Sequence, residues 1–221
     1  MKPYHGRPYP IPYKHKAVLM KEIEQLCNIG VLEWQLSLRW ASPTFVIPKT
    51  DSTVRTISDF RELNKRIVRK PYPIPKISTI LQELEGFTYA TALDLNMGYY
   101  TIRLDPMASK MCTINFPWEK YSFKRLPIGF GGSADIFQAQ IMDLMASLEF
   151  VQAYMDDLLI ITRGILDDHL QKMETVLTRL HDAGLKVNVA KSLFCAHEIE
   201  YLGCILTRKK HVWKLGLGKR D

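Results

Sequence analysis

Between Lys16 and Ile29 the apolar positions Val18/Leu19, Ile23, Leu26 and Ile29 return every three or four residues, and Gly30 follows. That spacing predicts an amphipathic helix with a glycine stop. Thr44-Phe45-Val46-Ile47-Pro48 and Val54-Arg55-Thr56-Ile57-Ser58 read as two strands of a hairpin, with the turn-like Lys49–Thr53 between them. Pro71, Pro73 and Pro75 demand an extended segment. A helix is predicted over 77–84, ended by Gly86, and strands near 89–94, 100–104 and 112–116. Ser133 and Asp135 mark the start of a helix running to Leu148, with Phe137, Ile141, Leu144/Met145 and Leu148 on one face. Leu170, Met173, Leu177 and Leu180 predict another over 166–183, and strands near 186–189 and 199–206 follow. Residues 1–13, rich in Pro and Tyr, read as an extended arm. Helices and strands mix without a βαβ rhythm, so the class is α+β.

Composition narrows the functional classes. An apolar fraction of 47% and a charged fraction of 24% over 221 residues are ordinary for a globular protein. No run of about 18 apolar residues occurs, so no membrane is expected as a partner. The N-terminal residues have no apolar stretch behind their charges, which argues against a signal peptide. Cys27, Cys112, Cys195 and Cys204 are widely spaced, which predicts reduced thiols in an intracellular, non-secreted protein and no zinc site. Charge is uneven. Residues 1–70 carry 13 Lys and Arg against 6 Asp and Glu, leaving 17 against 17 in the rest. A basic first third beside a neutral remainder suggests a polyanionic partner.

The candidate chemistry is acidic. Tyr154-Met155-Asp156-Asp157 lies between the apolar runs Phe150–Ala153 and Leu158–Ile161, as the turn of a hairpin would. Asp94 follows a third apolar run, Tyr89–Leu93. Three aspartates at sheet ends can hold two divalent cations, and two cations can run phosphoryl transfer. Adjacent strand residues point to opposite faces, so Asp156 at the tip is expected to share a face with Asp94.

Seven segments, in order, carry a resemblance: Lys49–Arg55, Ser58–Asn64, Leu93–Tyr100, Leu126–Phe130, Phe137-Gln138, Tyr154–Asp157 and Tyr201–Gly203. Together they resemble the motifs of reverse transcriptases, most of all those of gypsy-like long-terminal-repeat retrotransposons, relatives of retroviruses. The resemblance implies a right-hand polymerase fold with fingers (about 16–85 and 115–132) and palm (about 86–114 and 133–206), an arm over 1–15 and a divergent tail over 207–221. It implies RNA-directed DNA polymerase activity, with two Mg²⁺ ions on Asp94, Asp156 and Asp157, Asp157 being the weaker ligand. Lys49, Arg55, Tyr99 and Gln138 would meet the incoming deoxynucleoside triphosphate, Tyr99 as a steric gate against a 2′-hydroxyl. Arg61, Gly129, Tyr154, Met155, Tyr201, Leu202 and Gly203 would meet the template-primer duplex, RNA or DNA. Lys191 would be the general acid for pyrophosphate. Cytoplasm or a virus-like particle is the implied location.

The pattern departs from the family in four places. Trp34–Trp40 lacks the usual prolines, Ile128 replaces an aromatic or amide, and Ala134-Asp135 replace a Pro and a small residue. An acid at 135 is expected to repel phosphate from the floor of the site. After Leu206 the family pattern is lost, so the thumb, ribonuclease H and integrase domains are expected to be absent. These departures define an alternative: a catalytically impaired retroelement remnant that acts at most as a nucleic-acid-binding module.

Overall fold

The computed structural model describes residues 2–36, 39–49, 53–74, 76–77, 80, 84, 86–207 and the backbone of 211–213. In chain order its helices are α1 (Tyr13–Asn28), α2 (Arg61–Asn64), α3 (Pro106–Met111), α4 (Ser133–Leu144) and α5 (Leu166–Asp182). Its strands are β1 (Leu32–Gln35), β2 (Ser42–Pro48), β3 (Val54–Ser58), β4 (Tyr89–Asn96), β5 (Thr113–Asn115), β6 (Lys120–Phe123), β7 (Val151–Tyr154), β8 (Asp157–Thr162), β9 (Lys186–Val187), β10 (Leu193–Ala196), β11 (Glu198–Tyr201), β12 (Cys204–Thr207) and β13 (His211–Trp213). The chain divides into two compact units, Met1–Pro71 with Tyr99–Ala134, and Tyr72–Gly98 with Asp135–Asp221. Among the described residues no helix is long and apolar enough to cross a membrane.

The first unit is built on a five-stranded sheet in the order β1-β6-β5-β2-β3, antiparallel except where β2 meets β5. Helix α1 buries Leu19, Ile23 and Leu26, spaced as one helical stripe, against Phe60, Leu63, Cys112 and Phe123. Gly30, at φ 71°, ends that helix, and Val31 N–H returns to Leu26 C=O at 2.9 Å. The N-terminal arm is extended and pinned: Gly6 N–H donates to Ala41 C=O at 2.9 Å, and Asn115 Nδ2 donates to Gly6 C=O at 2.8 Å. A Cβ at Gly6 would sit 2.7 Å from Pro43 Cδ, so the approach needs glycine. Asp105 caps α3, accepting from Met107 N–H and Ala108 N–H, with Pro106 at the first helical position.

The second unit carries the sheet β10-β4-β8-β7, with β9 also on β4, and a separate sheet β11-β12-β13. Ala90, Leu159, Ile199, Tyr201 and Leu206 form one core with Ile80, Leu84 and Phe87. Helix α5 has Asp167 and Asp168 in its first turn and Arg179 and His181 in its last, as the helix dipole favours. Its buried His169 ties two strands together, Nε2 lying 2.8 Å from Thr91 Oγ1 and Nδ1 lying 3.0 Å from Thr162 Oγ1.

Several expectations change. Residues 100–104 form no strand: a 3₁₀ turn (Gly98–Thr101) and a lone bridge between Arg103 and Arg125 stand there, because Asp105-Pro106 starts α3 at once. The stretch 199–206 is a hairpin, broken at Leu202 and Gly203, which take φ of 50° and 80°. Helix α4 stops at Leu144 rather than 148: Ser147 takes φ 71°, and the Arg179 guanidinium caps the helix end by donating to Leu144 and Ala146 C=O at 3.0 and 2.8 Å. Strand β13 falls in the segment expected to be divergent, paired along β12. The unit boundaries lie at 71/72, 98/99 and 134/135. Tyr100, Leu104, Cys112 and Ile114 pack in the first unit's core, which draws 99–114 there. Pro75, most of the helix expected over 77–84, and residues 37–38 of the altered loop lie outside the described residues.

Candidate active site

Strands β4 and β8 pair from Tyr89 opposite Thr162 to Asp94 opposite Asp157. Leu95 N–H donates to Asp156 C=O at 2.9 Å, so Leu95 and Asp156 form a hydrogen-bonded pair. Alternation then makes Asp94 and Asp157 a non-hydrogen-bonded pair, with Cα atoms about 4.5 Å apart and side chains on one face. This corrects the expectation that Asp157 leaves the turn on the opposite face. Cross-strand register decides which side chains share a face, and it sets Asp157 directly across from Asp94.

Asp156 occupies the two-residue turn with Met155, whose φ of 52° is a left-handed value that costs a non-glycine residue about 1 kcal/mol. Gln138 of α4 holds this turn in place. It is fully buried, accepts from Met155 N–H at 2.6 Å and donates to Ala153 C=O at 2.9 Å. Gln138 therefore does not stand exposed toward a nucleotide as expected; both its polar atoms are committed to the hairpin. Tyr154 lies opposite Asp157 on β7. The turn Leu202-Gly203 follows Tyr201, whose hydroxyl lies 3.4 Å from Asp157 C=O. Gly98 packs beneath the turn: a Cβ there would fall 2.6 Å from Phe137 Cζ and 3.5 Å from Asp156 Oδ1.

The electrostatics tie the trio together. Burial first, then the charges of Asp157 and Asp94, push the Asp156 carboxyl up from 3.8 to about 6. Burial and Asp94 also raise Asp157. Lys191, in a 3₁₀ turn (Val189–Lys191), opposes both shifts, and its Nζ stands 3.8 Å from Asp94 Oδ2.

The other predicted residues lie in the first unit. Lys49 and Arg55 are exposed on the β2–β3 hairpin, closed by Lys49 N–H to Thr53 C=O at 2.9 Å. Arg55 is opposite Ile47, two residues from Lys49, so both cations are on the hairpin's exposed face. Arg61 forms a two-pronged pair with Asp59 at 2.8 and 2.7 Å, which lowers the Asp59 carboxyl. A groove lined by Phe45, Ile57, Asp59, Arg61, Asn64 and Gly129 runs beside it. Asn64 fastens its rim, donating to Gly129 C=O at 3.0 Å and accepting from Gly131 N–H at 2.7 Å. Tyr99 is buried, at 8% exposure, in the 3₁₀ turn.

Residues 47–206 match the model of the family described as reverse transcriptase (RNA-dependent DNA polymerase). This chain belongs to the reverse transcriptase family. It is 32% identical over 207 residues to the Pro-Pol polyprotein of Simian foamy virus type 3 (strain LK3), covering 94% of the chain and 18% of that protein. It is 32% identical over 214 residues to the retrovirus-related Pol polyprotein from transposon gypsy of Drosophila melanogaster, covering 93% of the chain and 20% of that protein. The structure of the foamy viral protease-reverse transcriptase in complex with RNA/DNA hybrid superposes with a TM-score of 0.90 at 26% identity, over 97% of this chain and 29% of that one. The chain thus spans about a fifth of the length of the Pol polyproteins it matches. The expected α+β polymerase fold holds.

Reverse transcriptases as a family depend on divalent metal ions. The residues of this chain fit such ions. The donors are hard carboxylate oxygens. Asp156 Oδ1 is buried with no hydrogen-bond partner, and the neighbouring carboxylates repel one another. Among the described residues no group of three or more Asp, Glu, His or Cys side chains is already gathered closely enough to hold an ion by itself. Asp135 departs from the expectation of phosphate repulsion. It is turned inward at 3% exposure, and its Oδ1 accepts from Tyr72 N–H at 3.0 Å. The sequence reading missed the supporting roles of Asn64, His169 and Arg179; each is a polar residue whose partner lies far along the chain.

Proposed function

We propose that the chain is the core of an RNA-directed DNA polymerase that adds deoxynucleotides to a primer 3′-hydroxyl. The observation that carries this reading is the acid trio. Two carboxylates face each other across β4 and β8, a third sits in the adjoining turn with an orphaned oxygen, and all three share one electrostatic field. Asp94, Asp156 and Asp157 would hold two Mg²⁺ ions. When bound, such ions lower the pKa of the attacking hydroxyl and neutralise charge on the triphosphate. Lys49 and Arg55 hold the triphosphate by charge and by the fork geometry of guanidinium. Tyr99 limits the space at the sugar and so favours deoxynucleotides. Lys191 delivers a proton to the leaving pyrophosphate. Arg61, Gly129 and the hairpin turns at Tyr154-Met155 and Tyr201-Leu202-Gly203 bear on the template-primer duplex. Further Pol domains complete the enzyme, within the cytoplasm or a virus-like particle.

The test is Mg²⁺-dependent deoxynucleotide incorporation on a primed RNA template, by the chain alone and joined to the thumb of a relative. Incorporation by the wild type and none by Asp156→Asn is the expected result. Wild-type signal no higher than that variant's would refute the proposal.

A further inference from the structure

Asp94 hydrogen-bonds to neither side of β8 through its own backbone, because Leu95 and Asp156 make the ladder contact there. Its N–H and C=O instead face the edge where β9 and β10 run. Strand β9 pairs with β4 at Leu95 and Asn96, and β10 at Ala92 and Ala90. Between them the chain leaves the sheet in the Val189–Lys191 turn, so the ladder has a gap directly at Asp94. Two groups fill it. Asn188 N–H donates to Asp94 C=O at 2.8 Å, and Asp94 N–H donates to Ser192 Oγ at 3.2 Å. The Ser192 hydroxyl in turn donates to Asn188 C=O at 2.8 Å.

The geometry points to Ser192 as a positioning residue, whose single hydroxyl stands in for the absent ladder acceptor and locks the Asp94 backbone to the turn that carries Lys191. One oxygen accepts from the strand and donates to the first residue of the turn, so neither can shift without losing a bond. The Lys191 turn closes on the same residue, with Lys191 N–H donating to Asn188 C=O at 3.1 Å. The staple thus fixes the backbone from which Lys191 reaches Asp94, its Nζ standing 3.8 Å from Asp94 Oδ2. Alanine can reproduce neither bond, and threonine, which keeps the hydroxyl, can reproduce both. The catalytic meaning of this staple rests on the polymerase reading; the staple itself does not.

Ser192→Ala and Ser192→Thr in the full chain test it. Amide hydrogen exchange at Asp94 is expected to rise about tenfold in Ser192→Ala, the equivalent of one net hydrogen bond, and to stay near wild type in Ser192→Thr. Mn²⁺ binding, followed by electron paramagnetic resonance, is expected to weaken severalfold in Ser192→Ala alone, with the unfolding midpoint little changed. In primer extension the loss should fall on kcat rather than on KM for the nucleotide. Unchanged Asp94 protection in Ser192→Ala, or equal loss in Ser192→Thr, would overturn the inference. Faster exchange in Ser192→Ala together with a wild type that extends no primer would uphold the staple and sink the polymerase reading.

Discussion

Asp156→Asn should stabilise the metal-free protein while abolishing its chemistry. Asp156 is half-buried beside Asp157 and Asp94, and these raise its carboxyl from 3.8 to about 6. A folded value above the unfolded one means that the ionised form is disfavoured by folding. The penalty is absent below about pH 4, grows between the two values, and is complete above about pH 6. At full weight the shift corresponds to about 3 kcal/mol. The group keeps some solvent contact, so screening reduces this to roughly 1–2 kcal/mol. Asparagine matches the shape and carries no charge. At pH 7.5 and without divalent ions, Asp156→Asn should therefore melt roughly 2–6 °C above the wild type. The difference should halve near pH 5. Saturating Mg²⁺ should narrow it from the other side by stabilising only the wild type. Calorimetry over that pH range, with and without Mg²⁺, decides. A variant no more stable than the wild type at pH 7.5, or a gap that does not shrink on acidification, would refute the reasoning.

Gln138→Leu keeps the volume but strips Met155 N–H and Ala153 C=O of their partners; urea unfolding should show a loss of about 2–3 kcal/mol, and primer extension should fall with it. Burial holds the His169 imidazole below its ordinary 6.5, so the stability that it contributes as a neutral ring is complete above about pH 6.5 and is lost as pH falls through the lower folded value. Unfolding midpoints measured down to about pH 5 should drop more steeply for the wild type than for His169→Gln, and parallel curves would contradict this.

Helix α1, the β2–β3 hairpin and the strands on either side of Met155-Asp156 were legible because each is written locally. Periodicity of three to four, a polar turn between β-formers, and acids between two apolar runs are each written in one short continuous stretch of chain. Boundaries failed where a distant partner sets the end. Arg179, 35 positions from Leu144, takes the carbonyls that close α4. The strand expected at 100–104 is replaced because α3 starts at Asp105 and the flanking side chains fill the first unit's core.

The acid trio shows the same division. Residue identity and order singled out three candidate carboxylates and the family they resemble, because motif and order are written in the chain itself. Pairing decided the rest. The register of β4 with β8 sets Asp157, not Asp156, across from Asp94, since a shift of one residue would reverse every face. Packing likewise turned Gln138 from an expected nucleotide contact into the clamp of the hairpin, and drew Asp135 inward to a backbone N–H. A sequence states what a side chain can do; burial and hydrogen bonding with residues remote along the chain settle what it is free to do.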